Sequence, residues 1–66
     1  MEINALKLRE LREDATLSTR ELAERAGIDH TTIIRLEGGQ SGAHPRTIRK
    51  LADALGVTPK ELRKAR

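Results

Sequence analysis

The sequence predicts an all-α domain of five short helices, and three observations carry that prediction. Apolar residues recur at helical spacing in each segment, with no strict alternation and no β-branched or aromatic enrichment of the kind a strand needs. Helix starts are marked by Asn, Ser, Asp, Thr and Pro ahead of the apolar runs, and helix ends by Gly behind them. At 66 residues there is room for one domain over 1–66, and a chain of this size buries only about 60% of the surface its unfolded form exposes. Every large apolar side chain therefore counts.

Asn4 is placed to cap a first helix whose apolar stripe is Leu8 and Leu11 with Leu6 beside them, while Lys7, Arg9, Glu10 and Glu13 face water. That helix should end near Asp14. Ser18 and Glu21 form a capping box, since hydroxyl and carboxylate can each satisfy an unpaired backbone N–H, and a second helix then runs to Ala26. Gly27 supplies the positive φ that closes a helix and turns the chain sharply. Asp29 is the expected side-chain cap of a third helix ending at Glu37, with Thr32 in its first turn and Ile33 and Leu36 pointing inward. Gly38 and Gly39 stop it. GGQSGAH, from Gly38 to His44, reads as a flexible loop without an apolar anchor, and Pro45 as the first residue of a fourth helix that buries Ile48, Leu51, Ala52 and Leu55. Gly56 ends that helix, and Thr58-Pro59-Lys60-Glu61 opens a fifth with Leu62 inward. No internal repeat, low-complexity segment or domain linker is found.

Composition narrows the function classes. No apolar run reaches membrane-spanning length, and MEINALKLRE lacks both the basic and the apolar region of a secretory signal, so a cytoplasmic setting is expected. The absence of Cys excludes disulfides, thiolate metal sites and cysteine nucleophiles. His30 and His44 stand alone at a spacing that suits no metal site, and no cofactor is expected. Without nucleophile-base spacing, a Gly-rich phosphate loop or an acidic cluster, no enzyme is expected either. Having no Phe, Tyr or Trp, the chain lacks the rings on which single-stranded nucleic acid is usually stacked, and that mode is not expected. Charge is uneven: residues 1–37 hold six basic and eight acidic groups, residues 38–66 seven and two, within a total of +3. Such a basic half is drawn to polyanions, whether duplex phosphates or an acidic membrane face.

The informative stretch is TRELAERAGIDHTTIIRLEGGQ, Thr19 to Gln40. Two helices joined at Gly27 cross steeply and require a small residue where their backbones approach, and Ala23 is that residue. Leu22, Ala26 and Ile28 meet Ile33 and Leu36 inside, which leaves His30, Thr31, Ile34 and Arg35 on the uncovered face of the third helix.

Together with LRE at Leu11 to Glu13, LSTRELA at Leu17 to Ala23, AGI at Ala26 to Ile28, IIRLEGG at Ile33 to Gly39 and LADALGV at Leu51 to Val57, this stretch resembles the Cro/repressor-type helix-turn-helix family, also called the xenobiotic-response-element family. The resemblance covers nearly the whole chain. It implies a five-helix lambda-repressor-like fold in which helices two and three form the helix-turn-helix, and a transcriptional regulator, more often repressor than activator, whose third helix enters the major groove. Base reading then falls to His30, Thr31, Ile34 and Arg35, and phosphate contact to Ser18, Thr19 and Arg20 at the second helix start and to Gln40, Ser41 and Arg46 after the third. Many members carry Gln where Thr19 and Thr31 stand. Arg12 and Glu37 match an internal ion pair of the family. The implied partner is double-stranded DNA with a palindromic operator, bound by two copies of the chain that associate through Gly56 to Leu62 or only on DNA. A different class stays open: an antitoxin-like or anti-repressor module whose main contact is a protein.

Overall fold

The computed structural model describes residues 2–40 and 42–64. Five helices follow in order: α1 (Ala5–Asp14), α2 (Thr19–Ala26), α3 (His30–Glu37), α4 (Pro45–Leu55) and α5 (Pro59–Leu62). The class is all α. Among the described residues no strand occurs, only an antiparallel bridge between Ile3 and Arg63.

One device recurs at every helix start. The residue just before the N-cap is apolar (Ile3, Leu17, Ile28, Ala43, Val57), and so is the fourth residue of the helix (Leu8, Leu22, Ile33, Ile48, Leu62). This is the pattern of a hydrophobic staple, which fixes the angle at which the chain enters a helix. All five fourth-position side chains are fully buried, and the five preceding residues lie in the same core or pack against it. Leu36, Leu51, Ala23, Ala26 and Ala52 complete that core.

Local hydrogen bonding sets the helix ends. Asn4 Oδ1 accepts from the Lys7 N–H at 3.0 Å, and Ser18 and Glu21 bond reciprocally, Glu21 N to Ser18 Oγ at 3.0 Å and Ser18 N to Glu21 Oε1 at 2.9 Å. In the last helix the Glu61 carboxylate accepts from the Thr58 N–H at 3.1 Å. Beyond α5 the chain folds back on its start: Asn4 N donates to Leu62 O at 2.8 Å and Lys64 N to Glu2 O at 3.2 Å. Neither this clasp nor the burial of Ile3 was expected from helical spacing.

Three expectations need correction. Leu6 does not join the stripe of α1, for it is 67% exposed; lying two residues before Leu8, it sits about 200° around the helix from it. Asp29 occupies the N-cap of α3 but its side chain makes no cap bond, because its backbone carbonyl already takes the Thr32 and Ile33 N–H groups at 3.0 and 3.4 Å. The segment after α3 does have an apolar anchor, since Ala43 packs against the core. Residues 22–29 and 51–58 also adopt the same corner, each closing a helix at a left-handed glycine.

Candidate nucleic-acid interface

The second and third helices are joined by Gly27, in the left-handed conformation at φ 70° and ψ 35°, with Ile28 N donating to Ala23 O at 3.0 Å. A side chain in this backbone region is strained, which is why glycine stands there. The corner lets α3 bury Ile33 and Leu36 against α1 and α2 while Thr31, Ile34 and Arg35 stay exposed. Ile34, at 52% exposure, is an apolar side chain left uncovered on this face.

Both ends of α3 are held by side chains from other elements. At its C-terminal end, Arg12 of α1 donates through Nε to Glu37 Oε2 at 2.6 Å and through Nη2 to Glu37 Oε1 at 3.0 Å, in the two-pronged geometry that suits guanidinium and carboxylate. A third Arg12 bond, Nη1 to Leu17 O at 2.8 Å, reaches the chain just before α2. The two side chains are only 13% and 10% exposed. The Glu37 hydrogen bond holds the Arg12 guanidinium above its ordinary pKa, against the opposing effect of burial. At the N-terminal end, Thr19 Oγ1 and His30 Nε2 lie 2.7 Å apart and join the first residue of α2 to the first residue of α3.

His30 is thus half-buried against α2, whereas Thr31, Ile34 and Arg35 stand fully outward. Ser18 and Arg20 are exposed beside Thr19, and the Ser18 backbone N–H first and the Ser18 hydroxyl second hold the Glu21 carboxyl below the usual carboxylate range. Gln40 is exposed, its N–H closing α3 by donating to Arg35 O at 3.0 Å. Ser41 lies outside the described residues. Arg46 is exposed at the start of α4, where His44, Pro45, Arg46, Thr47 and Arg49 line an open depression. Arg49, exposed one helical turn from Arg46, lies along the same depression.

This arrangement has close counterparts. A model of the helix-turn-helix domain matches residues 5–65. The chain belongs to the helix-turn-helix domain family. That membership bears out the Cro/repressor-type resemblance and the lambda-repressor-like fold expected from the sequence. The domain is 41% identical over 58 residues to the HTH-type transcriptional repressor RghR of Bacillus subtilis (strain 168), a match spanning 86% of this chain and 43% of that protein. The chain therefore matches less than half the length of that curated relative. Among solved structures, it resembles the restriction-modification controller protein C.AhdI from Aeromonas hydrophila at 38% identity and a TM-score of 0.82, over 86% of each chain. A hydroxyethylphosphonate dioxygenase carries the same helix-turn-helix fold in 14% of its length, at 28% identity and a TM-score of 0.86 over 98% of this chain. A fold shared between regulators and part of an enzyme leaves function to be argued from the site.

Proposed function

We propose that this helix-turn-helix domain, acting as a single unit over residues 1–66, binds double-stranded DNA in a sequence-specific way and represses transcription. The observation that carries the reading is the outward row Thr31, Ile34 and Arg35 on a helix fixed at both ends, by Arg12 with Glu37 and by Thr19 with His30. A base-reading surface needs such rigidity, because a hydrogen-bonding side chain discriminates between base pairs only if its backbone is held. Arg35 fits a guanine edge, Ile34 and the Thr31 methyl fit thymine methyl groups, and His30 contributes from the first turn of α3. Ser18, Thr19, Arg20, Gln40, Ser41, Arg46 and Arg49 supply phosphate contacts that position the helix without reading sequence. The relatives named as repressor and controller protein support the same reading.

Two copies on a two-fold symmetric operator would place half-sites about 34 Å apart. No described helix is long and apolar enough to cross a membrane, and the proposed place of action is where the DNA lies, in the cytoplasm. Selection of bound duplexes from a random pool, followed by titration at two salt concentrations, tests the reading. A preferred site and a steep salt slope are expected. Arg35→Ala should relax preference at one base position by about 1–3 kcal/mol, whereas Arg46→Ala should weaken all duplexes alike. Equal binding to every duplex by the unmodified domain would refute sequence-specific recognition.

A further inference from the structure

Four corners of the described chain pass through a left-handed residue: Thr16 at φ 58°, Gly27 at 70°, Gly39 at 80° and Gly56 at 71°. All four close a helix with the same two backbone bonds. At the first, Thr16 N donates to Glu13 O at 2.9 Å and Leu17 N to Arg12 O at 3.1 Å, just as Gly39 N donates to Leu36 O at 3.2 Å and Gln40 N to Arg35 O at 3.0 Å. Glycine takes this conformation at no steric cost, whereas a β-branched residue strains against it. Such strain persists only where the surrounding structure over-determines it, so the Thr16 corner needs more than the two bonds that all four share.

The addition is a side chain. Arg12 Nη1 donates to Leu17 O at 2.8 Å, so Arg12 holds Leu17 twice, with its carbonyl on the Leu17 N–H and its guanidinium on the Leu17 carbonyl. Among the described residues no side chain bonds the carbonyl of Ile28 or Val57, which follow the corners at Gly27 and Gly56. Thr16 itself is exposed. The corner without glycine is the corner with a strut. That strut cannot swing away, because the other two prongs of the guanidinium are fixed on Glu37, and the residues directly after Leu17 are Ser18, Thr19 and Arg20.

We propose that the Arg12 strut on the Leu17 carbonyl holds Thr16 in its left-handed conformation and thereby sets where Ser18, Thr19 and Arg20 meet the DNA backbone. Arg12 is a positioning residue for phosphate contact, in addition to pairing with Glu37. This rests on the DNA-binding reading above and adds what fixes the phosphate-contacting end of α2.

The test uses two substitutions, alone and together. Arg12→Lys keeps a cation beside Glu37 but lacks the planar fork that reaches two acceptors at once, and Thr16→Gly removes the strain that makes the strut necessary. Backbone carbon NMR shifts of the free protein should show Thr16 left-handed in the parent chain and no longer so in Arg12→Lys. In duplex titrations at two salt concentrations, Arg12→Lys should bind every duplex about tenfold more weakly, the order of one charge-assisted hydrogen bond. Its salt slope should be shallower by about one, for the displaced Arg20. Adding Thr16→Gly to Arg12→Lys should restore affinity and slope, while Thr16→Gly alone leaves both at the parent value. Measurement well below each melting transition keeps the folded fraction constant. If Arg12→Lys fails to fold, Arg12→Met with Glu37→Leu takes its place with the same expectations. Thr16 staying left-handed without the strut, parent affinity kept without it, or affinity still low once Thr16→Gly is added overturns the proposal. Absence of duplex binding by the unmodified domain instead overturns the DNA-binding reading, and the shifts of the free protein still decide whether the strut holds the corner.

Discussion

Two corners of this domain are built alike and used differently. Residues 22–29, LAERAGID, and residues 51–58, LADALGVT, each end a helix at a left-handed glycine, with φ and ψ of 70° and 35° at Gly27 and 71° and 30° at Gly56. Their hydrogen bonds match as well: Ile28 N to Ala23 O and Val57 N to Ala52 O are both 3.0 Å, and Gly27 N to Glu24 O and Gly56 N to Asp53 O both 3.3 Å. After Gly27 comes an eight-residue helix with an exposed polar face, its first turn free of a side-chain cap. After Gly56 comes a four-residue helix that is bonded to Glu61 at its start and clasped to Asn4 at its end. The corner fixes direction, and the length and bonding of the next helix decide whether it is offered outward or spent on closing the domain.

The comparison can be broken most severely through the feature that the second corner lacks. Arg12→Ala strands Glu37 in a mostly buried place, and urea unfolding should show a loss of about 3–5 kcal/mol. Changing Arg12 to Met and Glu37 to Leu together should restore most of it, because the cost lies in the orphaned charge. Leu22 and Leu51 hold the same place in the two corners and are both fully buried, so Leu22→Ala and Leu51→Ala should cost about 2–5 kcal/mol each. Thermal unfolding of both variants checks whether the two sites are as equivalent as they look. Gly27→Ala and Gly56→Ala sharpen the likeness further. An added Cβ meets nothing within 4 Å at either glycine, so each variant should lose only the backbone strain, about 1–2 kcal/mol, and the two losses should agree. The smallest effect concerns pH. Because the Ser18 bonds hold the Glu21 carboxyl below its ordinary range in the folded chain, its contribution is present above that range and fades as pH falls through the lower folded value. A helicity titration should show this acid-side loss in the parent chain and its absence in Glu21→Gln.

Helix order and boundaries were legible in the sequence because caps and glycine stops are local signals: Asn4, Ser18, Gly27, Pro45 and Gly56 act as their residue types dictate. The staple pattern was equally present, and pairing each residue ahead of a cap with the fourth helical residue would have placed Ile3, Leu17 and Ala43 in the core. Thr16 was not legible. It takes φ 58°, a left-handed conformation costly for a β-branched residue, with Leu17 N closing α1 onto Arg12 O at 3.1 Å; nothing local announces it, since glycine is the residue that usually marks such a place. The clasp between Glu2–Asn4 and Leu62–Lys64 was hidden for a related reason: it joins the extremes of the chain, and pairing at that separation leaves no periodicity to read. At the candidate interface, exposed Thr31, Ile34 and Arg35 followed from helical spacing. The Thr19 contact of His30 did not, because spacing on one helix says nothing of which side chain a neighbouring helix presents.

That clasp has a mechanical corollary. Its two hydrogen bonds, Lys64 N to Glu2 O nearest the termini and Asn4 N to Leu62 O one step inward, lie in series for a pull applied to the ends. Stretched by its termini in an optical trap, the protein would open like a zipper from that corner, one bond at a time, so the last short helix would peel away while the paired second and third helices were still under no load.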